Sequence, residues 1–485
     1  MTARRIGLLV GPLAFALTAL LPPPAGMPPG AWLVAGLVIW MAAWWMTEAV
    51  PMAITALLPF LVIPMTGIAS AEQTANDYFS PILFLLLGGA FIALAIERTG
   101  LHCRLSLAIL QIVGSKGGSA RLLLAFMIAA ALLSMLISNT STTLIMMPMA
   151  IAVLEGGRRS GNGAIGQQAA PSSSEAVGSQ EGISGALPMG IAFAASIGGL
   201  GTIVGSPTNA IAVGLLDQIA GVRISFAQWS LYGVPVVLAG VPLAAWIIAR
   251  VQRVAAYPFD LAAARAAIAT RAEWSTPERR LVPLVALTFA GWATQPLVAP
   301  LLPPGAWTDG TIASIGALAL FLVPDGTGRS LLAWDEARTA PWSVIFLFGG
   351  GLALAGGMQA SGLTDWLGAA LLPLEAWPLL LVALTVTALV IVVTEFASNV
   401  ATATGIIPVV AALVVAIGAD PVVLALPAAL AASWGFMLPA GTGPNAIAWS
   451  TGRIRIGRMV KAGALLDLAG VFLIVGVVWG IGALI

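Results

Sequence analysis

Long apolar stretches occupy almost the whole chain, and a few short polar clusters interrupt them at particular places. Most stretches are about as long as the roughly 17 to 25 residues that a helix needs to cross a bilayer. Because backbone exposed to lipid must satisfy its hydrogen bonds internally, the pattern predicts an all-α polytopic membrane protein. Eleven transmembrane spans are expected, at 6–22, 31–48, 51–67, 81–97, 187–217, 230–250, 281–300, 309–323, 341–358, 421–451 and 460–485.

Two further segments are apolar at both ends and polar in the middle. The segment 119–155 contains LISNTSTTLIMMP at 136–148, and the segment 378–417 contains FASNVATATGIIP at 396–408. Neither half of either segment is comfortably long enough to cross a hydrocarbon core of ~30 Å at ~1.5 Å per residue. We therefore expect two re-entrant hairpins, each with its polar cluster at the tip.

Two of the predicted spans are too long for one straight crossing. The spans 187–217 and 421–451 contain 31 residues each, and each carries a Gly/Pro motif, GSPTNAIA in the first and GTGPNAIA in the second. Glycine and proline interrupt helices, so these spans are expected to be broken helices. The helix breaks are placed at 205–209 and 441–445.

Three pairs of motifs recur in the same order along the chain, which indicates an internal repeat. LFLLLGG at 83–89 matches IFLFGGG at 345–351, and the hairpin clusters and the Gly/Pro motifs match in turn. The repeat predicts a first repeat core at 81–217 and an inverted second repeat core at 341–451, within a single transmembrane transporter domain, 1–485. A Gly/Ser/Gln-rich tract at 156–186 has no counterpart in the second copy and is interpreted as a flexible cytoplasmic loop.

The distribution of charge indicates that the two copies have opposite orientations. The segment 97–121 carries Arg98, Arg104, Lys116 and Arg121, whereas its counterpart at 358–380 contains no Lys or Arg. The positive-inside rule places the first segment in the cytoplasm and the second outside. The N-terminus is then cytoplasmic and, after eleven spans, the C-terminus is outside; a bacterial inner membrane is the expected location. Inverted repeats with paired broken helices are typical of secondary transporters, which bind their substrate near the midplane.

Composition supports a membrane protein and excludes several other functions. The chain is 59% hydrophobic and only 8% charged, whereas soluble domains average about 25% charged residues. The net charge of +1 gives no indication of a nucleic-acid partner, and one Cys beside one His can form neither a disulfide framework nor a metal site. Motifs of intramembrane enzymes, such as HExxH, are absent, so the sequence predicts a transporter and not an enzyme.

The polar groups of the paired clusters suit two kinds of ligand, a cation and an anion. Unwound carbonyls together with Ser, Thr and Asn oxygens form neutral sites that suit a hard cation such as Na⁺, and helix N-termini suit a carboxylate or another oxyanion. No Arg or Lys lies within the four motifs, so co-bound cations are the expected neutralising charges for an anion. The alternative is that these small residues only let helices approach closely. Equivalent positions in the repeat are Ser134 and Thr394, Ser138 and Ser398, Asn139 and Asn399, Gly205 and Gly441, and Ser206 and Thr442.

These clusters, with the two Gly/Pro motifs and WWMTEAVP at 44–51, resemble the divalent anion/sodium symporter family over essentially the whole chain. The resemblance implies an elevator-type transporter, usually a homodimer in the lipid bilayer, with Na⁺ as the coupling ion. The implied activity is sodium-coupled uptake of small dianions, above all C4-dicarboxylates such as succinate, malate and fumarate. A sodium-independent dicarboxylate exchanger, or a citrate or sulfate transporter of the same fold, is the alternative.

The resemblance also implies which residues bind each ligand. Two departures bear on the identity of the anion, since Val400 stands in place of a second Thr and Gly443 stands where the family often has Pro. Glu395, next to the second tip, is interpreted as a hydrogen-bonded scaffold carboxylate, with proton coupling as the alternative. The implied residues are Ser134, Ser138, Asn139 and Gly205 for the first sodium site; Thr394, Ala397, Asn399 and Gly441 for the second; and Asn139, Thr140, Ser398, Asn399, Thr442 and Gly443 for the substrate.

Overall fold

A computed structural model describes residues 3–114, 117–159, 180–257, 259–262 and 273–484. Within these ranges the regular structure is helical, apart from one isolated β-bridge between Pro324 and Ser330. The prediction of an all-helical protein is therefore confirmed for the described residues. The α-helices are α1 (Ala3–Leu20), α2 (Pro29–Thr47), α3 (Met52–Thr55), α4 (Leu58–Met65), α5 (Ala71–Asp77), α6 (Pro81–Thr99), α7 (Leu101–Gly114), α8 (Ser119–Ser134), α9 (Asn139–Arg159), α10 (Ile183–Gly199), α11 (Pro207–Ala220), α12 (Phe226–Val251), α13 (Thr276–Val298), α14 (Asp309–Leu322), α15 (Trp334–Ala337), α16 (Trp342–Ala360), α17 (Leu363–Leu371), α18 (Leu379–Phe396), α19 (Asn399–Ile417), α20 (Pro421–Ala431), α21 (Gly443–Ser450) and α22 (Ile456–Gly482).

The described helices include nine that are long and apolar enough to cross a membrane, together with shorter apolar helices. The chain is therefore a multi-pass membrane protein. One predicted span differs from the structure, because 51–67 is divided into the short helices α3 and α4. Pro59 lies in the first turn of α4, where its missing N–H is tolerated, so the chain turns and begins a new helix there. The nine helices are α1, α2, α6, α12, α13 with the turn that follows it, α16, α18, α19 and α22.

The internal repeat extends to the backbone. Helices α6 to α11 and α16 to α21 follow one another in the same order, as a long helix, a short helix, a hairpin and a broken helix. The long helix of each copy is followed by an equivalent glycine, Gly100 or Gly362, and both have φ of 78°. This left-handed conformation terminates a helix and favours glycine. The motif match in the sequence therefore corresponds to a match in local structure.

Each hairpin consists of two helices joined by a short tip. The first hairpin is α8 and α9 with a tip at 135–138, and the second hairpin is α18 and α19 with a tip at 397–398. The arms are longer than the sequence suggested: α18 and α19 have 18 and 19 residues and belong to the nine helices above. Helix α9 continues to Arg159 and α10 begins at Ile183, so both described ends of the predicted 156–186 loop are helical. The rest of that loop lies outside the described residues.

The two helix breaks lie earlier in the chain than predicted. The first break covers 200–206, between α10 and α11, and the second break covers 432–442, between α20 and α21. Pro207 occupies the first turn of α11, and the Thr442 side chain caps α21. Residues of these types begin helices. The predicted breaks therefore overlap the first turns of two new helices, at 207–209 and 443–445.

Helix α10 lies at the centre of the molecule. All of its 17 residues are buried, because its many Gly, Ala and Ser side chains let neighbouring helices approach closely. Helices α8, α9, α12 and α21 pack directly against it. The first break is thus held between the first hairpin and the second broken helix.

Candidate functional site

The first hairpin tip places a buried hydroxyl beside an amide. Ser134, the last residue of α8, is fully buried, and its Oγ lies 2.7 Å from Asn139 Oδ1 at the start of α9. Ser138 Oγ accepts a hydrogen bond from the N–H of Ser141 at 3.1 Å. The Ser138 hydroxyl therefore caps α9, which accounts for part of the polar cluster without any ligand.

The first break is tied to this tip by side-chain hydrogen bonds. Thr202 Oγ1 donates to the carbonyl of Met135 at 2.7 Å and accepts from the N–H of Gly205 at 3.0 Å. Asn209 Nδ2 donates to the carbonyls of Gly199 and Thr202 at 2.7 and 2.8 Å. The unwound backbone is therefore fixed in place, and the carbonyl oxygen of Gly205 faces Asn139 beside the tip.

Oxygen atoms from the tip and the break converge around Asn139. One terminal atom of its amide lies 2.7 Å from Ser134 Oγ and 3.2 Å from the carbonyl oxygens of both Ala195 and Gly205. If this terminal atom is the amide nitrogen, it donates hydrogen bonds to the three oxygens. If it is the amide oxygen, four oxygens lie together, as they do around a bound cation. A Cβ at Gly205 would lie 2.6 Å from the carbonyl oxygen of Gly199. Because glycine has no Cβ, the backbone at Gly205 can approach the backbone at Gly199 closely. We call Ser134, Asn139, Ala195 and Gly205 the first oxygen cluster.

The second hairpin repeats this arrangement. Thr394 is fully buried near the end of α18, and its Oγ1 lies 2.9 Å from Asn399 Oδ1 and 2.7 Å from the carbonyl oxygen of Ala432. A Cβ on Gly441 would lie 3.8 Å from the carbonyl oxygen of Thr394. Ala397, in extended conformation after α18, is also buried. We call Thr394, Asn399, Ala432 and Gly441 the second oxygen cluster.

A buried carboxylate organises the second break. Glu395 Oε1 accepts from the N–H of Met437 at 2.9 Å, and Oε2 accepts from the N–H of Leu438 at 3.0 Å. Asn445 Nδ2 donates to the carbonyl of Leu438 at 3.2 Å, and Thr442 Oγ1 accepts from the N–H of Asn445. Glu395 thus has the contacts of a hydrogen-bonded scaffold carboxylate, as the sequence suggested.

Matching polar atoms in the two broken helices have no hydrogen-bond partner among the described residues. These atoms are the hydroxyls of Ser196 and Ser433 and the Oδ1 atoms of Asn209 and Asn445, and all four are buried. Buried polar atoms of this kind usually have a partner, which can be an ion or a water. None of these four residues is among the predicted site residues. A signal was present, since Ala-Ala-Ser occurs at both 194–196 and 431–433, but it lies within apolar stretches.

The residues predicted to bind the anion lie at helix beginnings, whereas those predicted to bind sodium lie at both kinds of helix terminus. Ser138, Asn139 and Asn399, of the sodium sites, are at helix beginnings. The end of a helix carries partial negative charge on its carbonyls, and the beginning carries partial positive charge on its N–H groups. Ser134, Thr394 and Ala397, predicted to bind sodium, lie at the ends of α8 and α18. The residues predicted to bind the anion lie at the first or capping position of α9, α19 or α21, or at the second position in the case of Thr140; they are Asn139, Thr140, Ser398, Asn399, Thr442 and Gly443.

The structure brings the start of α9 against the start of α21. A Cβ on Gly443 would lie only 2.7 Å from Thr140 Oγ1, so these two predicted substrate residues are in contact. The second tip has different neighbours, because Ser398 Oγ lies 3.6 Å from Met52 Sδ and caps α19 through the N–H of Ala401. Val400 packs partly against the apolar cluster that includes Met52. The two tips are therefore unequal in their polar contacts.

A cavity of about 540 Å³ adjoins the first oxygen cluster. Among the predicted site residues it is lined by Ser138 and Gly205, and Ser141, Pro207 and Glu97 also contribute. Arg98 follows Glu97 but is directed elsewhere, since it forms ion pairs with Asp325 at 2.5 Å and Glu336 at 3.1 Å.

The hydrogen-bond partners of Asp325 lower the pKa of its carboxyl group. The Arg98 guanidinium, together with the Thr327 hydroxyl and N–H, holds the pKa of the Asp325 carboxyl well below its usual value. The charge of Arg98, which follows the cavity-lining Glu97 in the chain, is thus already neutralised. An anion near the first tip would have to rely on helix N-termini and on co-bound cations.

Comparison with known protein families and sequences gives consistent results. The family model described as the sodium:sulfate symporter transmembrane region matches residues 3–484. The sodium-dependent dicarboxylate transporter SdcS of Staphylococcus saprophyticus is 37% identical over 485 residues, which cover 98% of this chain and 90% of that protein. The transporter of the same name from Staphylococcus aureus strain MRSA252 is 36% identical over 491 residues, with coverage of 99% and 91%.

A solved structure resembles the fold. The crystal structure of the Alcanivorax borkumensis YdaH transporter, described as having an unusual topology, matches with a TM-score of 0.55. The match covers 94% of this chain and 98% of that one, at 15% sequence identity. At this identity the likeness concerns the fold alone.

Proposed function

Because the chain belongs to the sodium:sulfate symporter family, we propose that it is a secondary transporter that couples the entry of sodium ions to the uptake of small dianions. Succinate, malate and fumarate are the substrates we expect, since the relatives at 37% and 36% identity are named dicarboxylate transporters. The family consists of transporters, so the chain is not an enzyme.

The pair of oxygen clusters is the observation that carries this proposal. Each cluster contains one hydroxyl, one amide and backbone carbonyls, all neutral oxygen donors of the kind that hard cations prefer. The unpartnered oxygens of Ser196 and Asn209, and of Ser433 and Asn445, lie on the broken helices that complete these clusters. We assign Ser134, Ser138, Asn139 and Gly205 to the first sodium site, and Thr394, Ala397, Asn399 and Gly441 to the second.

The Asn139 amide offers a physical link between sodium and substrate. With sodium present, its oxygen faces Ser134 and the carbonyls of Ala195 and Gly205; without sodium, its nitrogen can donate to the same oxygens. Thr140 follows directly in the chain and contacts Gly443 across the two repeats. Sodium at the first site would therefore fix the orientation of the tip that receives the anion.

The substrate is proposed to lie where the helix N-termini meet. Their N–H groups carry partial positive charge, and the two sodium ions would supply the formal charge that neutralises a dianion. No Lys or Arg occurs within the four motifs to do so instead. The substrate-binding residues in this proposal are Asn139, Thr140, Ser398, Asn399, Thr442 and Gly443.

We extend the proposal to the mechanism and assembly that the family resemblance implies. The repeat cores 81–217 and 341–451 would be inverted relative to each other and would move together in an elevator-type cycle. Helix α11 packs against α19, and α9 packs against α21, which supports one moving unit made from both copies. A homodimer in a bacterial inner membrane, with the N-terminus cytoplasmic and the C-terminus outside, completes the proposal.

Uptake into proteoliposomes tests the function directly. Labelled succinate is supplied with an inward gradient of Na⁺, of K⁺ at equal ionic strength, or of protons, with empty liposomes as the control. We expect uptake only with Na⁺, and competition by unlabelled malate and fumarate. Uptake that ignores Na⁺ and requires an internal dicarboxylate would indicate an exchanger, and competition by sulfate or citrate alone would overturn the assignment of the substrate.

A further inference from the structure

Glu97 is the one charged residue among the described residues that line the cavity beside the first oxygen cluster. It lies in the last turn of α6 and is half-buried. The same cavity reaches Ser138 and Gly205, which belong to the proposed first sodium site. No hydrogen bond or ion pair joins the Glu97 side chain to another described residue, so its carboxyl group is available to ions in the cavity.

One face of α6 leads from the first break to Glu97. Ala90, Ala93 and Glu97 line the cavity at spacings of three and four residues, so they lie on the same face of the helix. Gly89 is level with the break, since a Cβ there would lie 2.8 Å from Val204 Cγ1. Eight residues at ~1.5 Å each place Glu97 about 12 Å farther along the helix. The acid and the first oxygen cluster thus lie toward opposite ends of one cavity.

The charges of Arg98 and of the segment 323–341, which supplies Thr339 and Pro341 to the cavity wall, cancel one another. Three arginines and three acids form ion pairs with separations of 2.5 to 3.7 Å. These pairs are Arg98 with Asp325 and Glu336, Arg329 with Glu336, and Arg338 with Asp335. The formal charge of Glu97 is therefore left unbalanced beside the cavity.

We propose that Glu97 makes this cavity selective for cations, so that it attracts Na⁺ toward the first oxygen cluster and repels dianions. The proposal rests on the function proposed above and adds to it a residue that determines charge selectivity. Apolar walls of low dielectric concentrate the field of a charge within a cleft. For two unit charges about 12 Å apart, Coulomb's law gives roughly a twofold preference in water and more beside apolar walls.

The position of Glu97 has a consequence for the transport cycle. In the proposed orientation the end of α6 and the segment 323–341 are cytoplasmic, so the cavity is the route by which ligands leave. A negative charge on this route slows the return of a released dianion and offers released Na⁺ a favourable position. Glu97 thus limits rebinding of the product without changing the equilibrium of transport.

Thiol modification of a cysteine in the cavity tests the charge selectivity. Ser141→Cys places a thiol in the cavity wall, and Cys103→Ser removes the native thiol. The full-length protein is held in lipid nanodiscs without Na⁺ at an ionic strength of about 0.01 M, where charges act over ~30 Å. The rates of modification by a trimethylammonium and by a sulfonate methanethiosulfonate are then measured.

We expect Glu97→Gln to lower the ratio of the cationic rate to the anionic rate by about threefold or more, because the two rates change in opposite directions. Glu97→Asp keeps the charge and should leave the ratio near that of the parent protein. An equal ratio in the parent and in Glu97→Gln would overturn the proposal. So would a thiol at position 141 that neither reagent modifies, since the cavity would then admit neither ion.

Two controls separate the charge from packing. The Debye length falls to ~3 Å at about 1 M salt, so the effect of Glu97→Gln should disappear there; an effect that persists would contradict the role of charge. Asp365→Cys, an exposed position on α17, should give the same ratio with and without Glu97→Gln.

The same reporters keep the test decisive if Glu97→Gln does not fold. The ratio at Ser141→Cys should then fall as salt is added, and by more than the ratio at Asp365→Cys. An equal response to salt at the two positions would overturn the proposal. The measurement needs no transport, so its result is separate from that of the uptake experiment.

Discussion

Ser134 Oγ lies 2.7 Å from the Asn139 amide across the tip of the first hairpin. The equivalent pair in the second hairpin, Thr394 and Asn399, has the same five-residue spacing and a separation of 2.9 Å. Removal of either hydroxyl deletes an oxygen from one cluster and leaves a half-buried amide short of a partner.

We therefore expect Ser134→Ala and Thr394→Ala to raise the Na⁺ concentration for half-maximal succinate uptake. The cost of leaving such a group unpaired is about 1 to 3 kcal/mol, or roughly fivefold or more in affinity. Maximal uptake at saturating Na⁺ should fall less. The measurement is a Na⁺ titration of uptake in proteoliposomes.

Matched controls exist for both sodium variants. Ser314 and Thr288 donate to carbonyls within their own helices at 2.8 and 2.9 Å, away from the hairpins. Ser314→Ala and Thr288→Ala should leave the Na⁺ dependence unchanged. An unaltered Na⁺ titration in both Ser134→Ala and Thr394→Ala would contradict the site assignment.

The hairpins and breaks could be located from the sequence because polar residues in an apolar stretch are conspicuous. Their limits were less predictable, since Pro207 and Thr442 look like interruptions but begin helices. Whether such a residue ends or starts a helix depends on hydrogen bonds to other segments, such as that of Thr202 to Met135. Local pattern does not contain that information.

Other parts of the site depend wholly on long-range packing. Ser196 lies within α10 and Ser433 lies in the second break. Both occur in apolar stretches, and nothing nearby in the sequence distinguishes their hydroxyls from those that only allow close packing. The charge pattern, by contrast, leads directly to a test of orientation.

The proposed inversion of the repeats predicts opposite accessibility of two equivalent positions. Cys103 on α7 and Asp365 on α17 are 262 positions apart, which is the offset of the motifs before them, and both are exposed. An impermeant thiol reagent applied to cells should label Asp365→Cys in a Cys103→Ser background and should label wild-type Cys103 only after permeabilisation. Labelling of both from the same side would contradict the inversion.

The ion pair of Asp325 and Arg98 predicts a pH-dependent stability. Arg98 lowers the pKa of Asp325 in the folded protein, so its stabilisation is fully present above the ordinary pKa of 3.8 and is lost as the pH falls below it. We expect Asp325→Asn to melt at a lower temperature than wild type at about pH 7, with a smaller difference at about pH 3. Asp335→Asn, which alters an 86% exposed acid, should melt like wild type. A difference that does not depend on pH would rule out the charge of Asp325 as the cause.

The Thr140 hydroxyl is expected to donate to the substrate. Thr140→Val keeps the volume and removes the donor, which leaves an anionic oxygen short of one hydrogen-bond partner. Succinate affinity at saturating Na⁺ should fall by roughly fivefold or more, with little change in the Na⁺ titration. If succinate binds Thr140→Val as tightly as wild type, the first tip is not a substrate contact.

Gly443 is predicted to control how closely the two repeats approach at the substrate site. A Cβ at this position would lie 2.7 Å from Thr140 Oγ1, which is too short for contact, so Gly443→Ala must displace the Thr140 hydroxyl or the start of α21. Because Gly443 and Thr140 are both exposed, the Thr140 side chain can turn away at little cost to the fold. We therefore expect weaker succinate binding and an almost unchanged melting temperature. Gly405→Ala on α19 is the control, since a Cβ there meets nothing within 4 Å. If Gly443→Ala and Gly405→Ala bind succinate equally well at saturating Na⁺, the contact between Thr140 and Gly443 does not shape the site.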